Sequence, residues 1–226
     1  MEQFNSLSQE QQNLILSHLD LVIEANERVN LTRIEDRNTA LVLHVEDSLS
    51  GLQEMKEAPD GLYGDLGSGA GYPGLPLAIA TGRPTVLIDS RLKKMVILDD
   101  VIKKLKLESQ VRTFKGRAEL LAKKEPGEYS VLTARALSQL PVLMELASPL
   151  LKKHGILICY KSHVDDEELF HARKVEKLTG MKLIRDRQFT LEEDFTRRII
   201  TFEKVALPKT KLPRREGEAQ RNPLSF

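Results

Sequence analysis

The residues of this chain best suited to chemistry lie in Asp65-Leu66-Gly67-Ser68-Gly69-Ala70-Gly71-Tyr72-Pro73-Gly74. A short apolar run precedes this stretch and a helical pattern follows it. Its glycines therefore stand at a strand-to-helix junction, where a backbone can approach a ligand without Cβ clashes. A small, nucleotide-like ligand is expected there. Gly69-Ala-Gly71-Tyr-Pro-Gly74 also satisfies the dinucleotide fingerprint G-x-G-x-x-G, and Asp89 closes the next strand, where a ribose-binding acid stands in either case. The glycines alone do not separate a methyl-donor site from a dinucleotide site, although so dense a glycine run argues against a purely structural turn.

Asp65 discriminates better. An acid two residues before the first glycine suits the cationic amino group of S-adenosylmethionine and would repel a pyrophosphate. Gly116-Arg117-Ala118-Glu119 follows the third strand, where a backbone amide and a carboxylate can meet an adenine edge. Asp65, Asp89 and Ala118-Glu119 together favour the methyl donor over a nicotinamide cofactor. Arg135 ends the fourth strand beside the expected methyl position, either near the base or donor or paired with Glu119 or Asp65 to hold the loops. His44, Asp47 and Ser48 fall at i, i+3 and i+4 and share a helix face, as a local pair or as lining of a pocket. No metal is expected, because the five histidines do not fall at ligand spacings and Cys159 is the single cysteine. A serine nucleophile is unsupported, since Gly67-Ser-Gly69 lacks the G-x-S-x-G elbow.

The elements that must position these residues follow from periodicity. Ser8 with Gln11 reads as a capping box opening an amphipathic helix that ends near Asn30, and a second helix starting at 36–39 carries His44, Asp47 and Ser48. From Tyr63 onward short apolar runs alternate with helical stretches. Strands are expected at 62–65, 84–88, 111–114, 129–133 and 156–160, with an antiparallel pair at 182–189 and 196–203 joined by the polar stretch 190–194. Strands separated by helices imply a parallel sheet covered on both faces, with the ligand at the strands' carboxyl ends near the switch point. The expected organisation is a helical extension over 1–58, a Rossmann-like domain over 59–206, and a basic tail over 207–226 forming an arm or a partly disordered end.

At 226 residues, with 41% hydrophobic and 30% charged residues, the chain can bury a full core. It contains no apolar run of the roughly 18 residues a membrane span needs, nor a secretory start, so a cytoplasmic location is expected. Cys159, in the run Ile156-Leu157-Ile158-Cys159-Tyr160, reads as a buried core thiol. The net charge of +1 conceals an asymmetry: residues 1–90 carry 5 Lys/Arg against 14 Asp/Glu, and residues 91–226 carry 29 against 19. The basic half can face a polyanion. Lys93, Lys94, Lys103, Lys104, Arg214 and Arg215 are the candidate phosphate contacts.

Taken in order, Asn30-Leu31-Thr32, His44-x-x-Asp47-Ser48, Asp65-x-Gly-Ser-Gly-Ala-Gly-Tyr-Pro-Gly-x-Pro76, Leu87-Ile88-Asp89-Ser90, Lys93-Lys94, Arg117-Ala118-Glu119, Arg135-Ala136 and Lys161 resemble the glucose-inhibited division protein B family, also called ribosomal small-subunit methyltransferase G. The resemblance runs from about residue 26 to the C-terminus. Tyr72 stands where Phe or Leu is common, Ser162 replaces a frequent Gly, and Ala219 stands where Pro is usual. The resemblance implies a class I S-adenosylmethionine-dependent methyltransferase: a Rossmann-like, seven-stranded, mostly parallel sheet with an N-terminal helical extension. It implies donor contacts at Gly67, Tyr72, Ala118, Glu119 and Arg135, to which the residue reading adds Asp65, Gly69 and Asp89. The implied substrate is N7 of a guanine, position 527 in the 530 loop of 16S rRNA, met as rRNA or as the 30S particle by a monomeric enzyme. His44 and Asp47 join Arg135 as candidate positioning residues, and no proton transfer is assigned to His44.

The residues that are absent fit N7. Methylating C5 of a pyrimidine requires a cysteine nucleophile, and exocyclic amines are commonly held by an Asp/Asn-Pro-Pro-aromatic loop after the fourth strand. This chain has Thr133-Ala134-Arg135-Ala136-Leu137 there. Guanine N7 offers an in-plane lone pair and no proton, so alignment suffices without a general base. The competing readings are a nicotinamide-dependent oxidoreductase on the same sheet, separable by comparing thermal shifts with S-adenosylhomocysteine and NADH, and an inactive RNA-binding module.

Overall fold

The runs of Val, Ile and Leu become central strands that are buried on both faces, while the two edge strands stay partly exposed. In the computed structural model, which describes residues 2–34, 36–192 and 195–224, β1 (Leu62–Leu66), β2 (Thr85–Asp89), β3 (Val111–Lys115), β4 (Tyr129–Arg135), β5 (Leu151–Lys161), β6 (Met181–Leu191) and β7 (Phe195–Lys204) form one sheet of order β3-β2-β1-β4-β5-β7-β6. β1 to β5 are parallel, and β7 is antiparallel to both β5 and β6. The chain winds outward from β1 to β3, then returns to β4 on the other side of β1. That reversal opens a crevice at the carboxyl ends of the strands. Register sets Asp65 beside Leu87 and Thr133, and Leu66 beside Ile88 and Ala134, so the chemistry-bearing strand ends lie level with one another.

Helices cover both faces. Gly74–Thr81 and Leu92–Lys104 lie on one face with the N-terminal helix Gln9–Asn26, joining Ile15, Leu19, Leu75, Leu98 and Val101 in one core cluster. Ala118–Lys124, Leu140–Ala147 and Asp166–Thr179 cover the other face, where Leu121, Leu143 and Val175 pack on β4 and β5. The capping box forms: Ser8 Oγ accepts the Gln11 amide at 3.3 Å, and Gln11 Oε1 accepts the Ser8 amide at 3.0 Å. Gln11 Nε2 also donates to the carbonyls of Ile79 and Ala80, tying the extension to the end of the helix that the glycine loop opens. Cys159 is fully buried, and burial pushes its thiol pKa up.

Three expectations are corrected. The first helix ends at Asn26, where the Asn26 side chain turns inward to accept the amides of Leu31 and Thr32 at 2.7 and 2.9 Å. The second helix is not regular: an α-turn Arg37–Ala40 leads into a π-helix Leu41–Glu46 and then an α-turn Asp47–Leu49. Widened turns of this kind recur at functional sites, and this one changes the spacing on which a shared face for His44 and Asp47 was expected. The tail is no loose arm. Leu224 packs on the core, Ala219 is buried within it, and the short helix Glu218–Arg221 closes the chain. In addition, β5 starts at Leu151 with an irregularity at His154 (φ 67°), and its pairing with β4 shifts between Tyr129 and Val131. The last two residues of the 190–194 connection lie outside the described residues.

Candidate active site

The glycine loop is held from below. Asp65 is fully buried: Thr133 Oγ1 donates to its Oδ1 at 2.7 Å and the Gly74 amide to its Oδ2 at 3.2 Å, while the Tyr63 hydroxyl lies 2.7 Å from Thr133 Oγ1. Burial raises its pKa to about 6, more than these hydrogen bonds lower it. Asp65 therefore braces the loop from behind and is not on the cavity wall. At Gly74 the backbone passes so close to β1 and β2 that a Cβ would lie 2.3 Å from Leu87 Cδ2. Gly67 takes φ 76°, and a Cβ there would meet Leu137 Cδ1 at 2.8 Å, so the loop and the segment after β4 close on each other only without a side chain.

Above the loop, a cavity of about 340 Å³ is lined by Leu66, Gly67, Ile88, Asp89, Ala118, Glu119, Leu137 and Gln220, among others. Asp89 Oδ2 accepts the Gly69 amide at 3.0 Å, and Arg91 binds the carboxylate through its backbone amide and guanidinium at 2.8 to 3.1 Å. Burial alone would raise the Asp89 pKa, but the bonds and charge of Arg91 outweigh it and hold the carboxyl below its usual range. Glu119 Oε1 accepts the amide of Gly217 at 2.7 Å, which brings the tail to the edge of this cavity.

A second cavity, about 390 Å³, lies beyond the end of β4 and shares Ala136 with the first. Ala136 has φ 51°, a strained value for a residue with a Cβ, and it turns the chain so that Leu137 reaches the first cavity while Arg135 lines the second. Asp47 holds two cations there: Arg135 donates to Oδ2 at 2.9 Å and Arg197 to Oδ1 at 3.0 Å. Arg135 also donates to the Leu43 carbonyl at 3.0 Å. Lys161 pairs with Glu168 at 2.7 Å, and the same Glu168 oxygen accepts the Leu140 amide, fixing the segment that follows Leu137. Asp47 is the single carboxylate among the described residues lining this cavity, and both of its oxygens are taken.

Tyr72 joins the glycine loop to this region. Its ring stacks on His44 at 4.6 Å and 16°, with His18 on it at 4.5 Å and Arg135 at 5.7 Å. His44 Nε2 lies 2.9 Å from Thr32 Oγ1, and His18 Nε2 lies 2.9 Å from the Ala70 carbonyl. Burial, joined at His44 by the Arg135 charge and partly offset at His18 by the Ala70 bond, lowers both imidazole pKa values to about 4. Both rings are neutral near pH 7, which lets them pack against Tyr72 beside a guanidinium.

The expected residues thus divide. Gly67, Asp89, Ala118 and Glu119 line the first cavity, and His44, Asp47 and Arg135 the second. Asp65, Gly69 and Tyr72 support these walls from behind. Arg135 pairs with Asp47, not with Glu119 or Asp65. Lys93, Lys103 and Lys104 are exposed along the helix Leu92–Lys104, whereas Lys94 donates to the Leu31 carbonyl at 2.7 Å. Arg215 is exposed. Arg214 is not available to a phosphate: its guanidinium binds both oxygens of buried Glu145 at 2.6 Å. Sequence reasoning missed Arg197, Tyr160 and Gln220. Arg197 alone had a legible signal, being an arginine pair with Arg198 in a strand otherwise apolar at Ile199 and Ile200.

A family model for rRNA small subunit methyltransferase G matches residues 11–196. The chain belongs to that family. It is 36% identical to the ribosomal RNA small subunit methyltransferase G of Limosilactobacillus reuteri, over 97% of this chain and 93% of that protein, and 33% identical to that of Alkaliphilus metalliredigens, over 93% and 89%. Among solved structures, the O-methyltransferase from Bacillus cereus in complex with SAH is similar in fold, with TM-score 0.59 and 17% identity over 83% of this chain and 91% of that one. The protein is accordingly an S-adenosylmethionine-dependent methyltransferase of small-subunit rRNA. The first cavity fits that donor. Its walls offer an acid at the end of β2, apolar faces from Ile88 and Leu137 for a flat ring, and a glycine backbone against which Leu137 closes.

Proposed function

We propose that the chain transfers a methyl group to N7 of a guanine in the 530 loop of 16S rRNA, with the donor in the first cavity and the base in the second. The observation that carries this reading is the pair of cavities meeting at Ala136, one built from the glycine loop and the ends of β2 and β3, the other from two arginines and Tyr160. S-adenosylmethionine supplies an electrophilic methyl on its sulfonium. The chain's own residues supply alignment. Asp89, Gly67, Ala118 and Glu119 hold the nucleoside end of the donor, with Asp65, Gly69 and Tyr72 fixing the loop beneath it. Arg135, kept in place by Asp47 and the Leu43 carbonyl, borders the base.

The second cavity supports N7 over an amine. Methylating an exocyclic amine calls for an acceptor to hold or remove its proton, and the one carboxylate on this wall is occupied by Arg135 and Arg197. The His44 ring is stacked on Tyr72 and keeps a lowered pKa, so it serves as wall and not as base. A lone pair with no proton needs neither, and positioning alone supplies large rate factors. The base must be splayed out of its loop to enter, with Lys93, Lys103, Lys104 and Arg215 meeting flanking phosphates. We place the enzyme in the cytoplasm as a monomer acting on rRNA or the 30S particle.

The test is transfer of labelled methyl to small-subunit RNA lacking the modification, with N7-methylguanine located by chain cleavage at the modified base. One labelled guanine in the 530 loop is the expected result. Label on an amine or on another RNA keeps the donor site and discards the N7 assignment.

A further inference from the structure

The tail makes a specific set of contacts with the rim of the first cavity. Arg214 clamps buried Glu145, on the helix Leu140–Ala147, through two bonds of 2.6 Å and also donates to the Asn222 carbonyl at 2.8 Å. Gly217 gives its amide to Glu119 at 2.7 Å and takes φ 71°, a left-handed conformation that favours glycine there. Ala219 is buried in the core. These three anchors fix the residue between Ala219 and Arg221 with little freedom. That residue, Gln220, is exposed, makes no side-chain hydrogen bond among the described residues, and lines the donor cavity beside Ala118 and Glu119.

We propose that residues 214–220 form a strap over the adenine end of the donor cavity, and that the Gln220 carboxamide binds the amino edge of the adenine. The chemistry is matched. A carboxamide offers an acceptor and two donors side by side, and adenine's edge offers an N6 amino donor beside a ring-nitrogen acceptor, so the two form a bidentate pair. A polar side chain held unpaired at the wall of this mixed polar and apolar cavity meets a ligand edge with only its own rotamers left to order, because its backbone is already fixed. Glu119 contributes by holding the strap through Gly217, which leaves one carboxylate oxygen for the site.

This inference rests on the donor assignment of the first cavity, and its test separates the two. Binding of S-adenosylhomocysteine, and of its analogue with purine in place of adenine, is measured by calorimetry on the full chain and on Gln220→Ala. The wild-type chain should bind the adenine form about tenfold more tightly than the purine form. Gln220→Ala should weaken the adenine form about tenfold and leave the purine form within twofold, so the preference largely disappears. Equal weakening of both ligands, or no weakening, overturns the role of Gln220 while leaving the donor site standing. Failure of the wild-type chain to bind S-adenosylhomocysteine overturns the donor assignment and this proposal with it. Because Gln220 is exposed, the variant should melt with the wild type, and its melting curve checks that the preference is lost without loss of the fold.

Discussion

Replacing Asp47 with Asn tests how the second cavity is held. Asp47 accepts from Arg135 at 2.9 Å and Arg197 at 3.0 Å, and the three side chains are 7%, 15% and 18% exposed. Removing one partner of a buried pair leaves uncompensated charge and costs about 3–5 kcal/mol. Here the cost is smaller: Arg135 retains the Leu43 carbonyl, Arg197 the Thr196 carbonyl, and the Asn oxygen still accepts from one guanidinium. About 3 kcal/mol is expected, which in a chain of this size lowers the melting temperature by about 6–12 °C. The Asn amide also turns a donor toward the second guanidinium, so Arg135 shifts, and misplacement on the order of 1 Å costs about 100-fold in methyl transfer. Melting curves and single-turnover transfer on the same preparation read both effects. Adding Arg197→Met to Asp47→Asn should recover part of the stability, because the unpaired cation is gone, but not the activity. Melting within about 2 °C of the wild type together with transfer within twofold would refute the reasoning.

Three further outcomes are expected. His18 and His44 have folded-state pKa values lowered to about 4 from 6.5, so their contribution to stability is complete above pH 6.5 and is lost as pH falls from 6.5 toward 4, at about 3 kcal/mol each. Urea unfolding across that window should show the loss, and His44→Gln should remove about half of it; an unchanged slope in the variant contradicts the assignment. Gly74→Ala places a methyl 2.3 Å from Leu87 Cδ2 and 2.8 Å from Asp65 Oδ2, and should cost about 1–3 kcal/mol with weaker binding of S-adenosylhomocysteine; wild-type melting and affinity would show that the loop has slack. Lys103→Ala with Lys104→Ala should flatten the log–log salt dependence of RNA binding by about one to two, whereas Arg214→Ala, paired with Glu145, should lower stability and leave that slope alone; the reverse pattern would move the RNA footprint onto the tail.

What the sequence determined by itself was the layout. Alternating apolar runs and helical patterns specify a βαβ series because strands covered on both faces must be apolar throughout, and a glycine run between a strand and a helix marks a ligand loop because backbone approach is a local property. The order of Asp65, Asp89 and Ala118-Glu119 along the chain was enough to expect a crevice at the carboxyl ends of the first three strands, where the first cavity lies. Local pattern does not fix which side chain faces which. Asp65 reads as a ligand contact, yet register with Thr133 and the close approach of Gly74 turn both of its oxygens inward. Asp47 and Arg135 are 88 residues apart, and the pairing with Arg197 spans 150, so the cluster exists only once β4 and β7 have been brought together around β5. Arg214 carries the composition of a nucleic-acid arm, but a buried Glu145 leaves an uncompensated charge unless a cation meets it, and the tail folds back to supply one. Periodicity cannot register these requirements, because each is a condition on partners distant in the chain, and tertiary packing alone satisfies them.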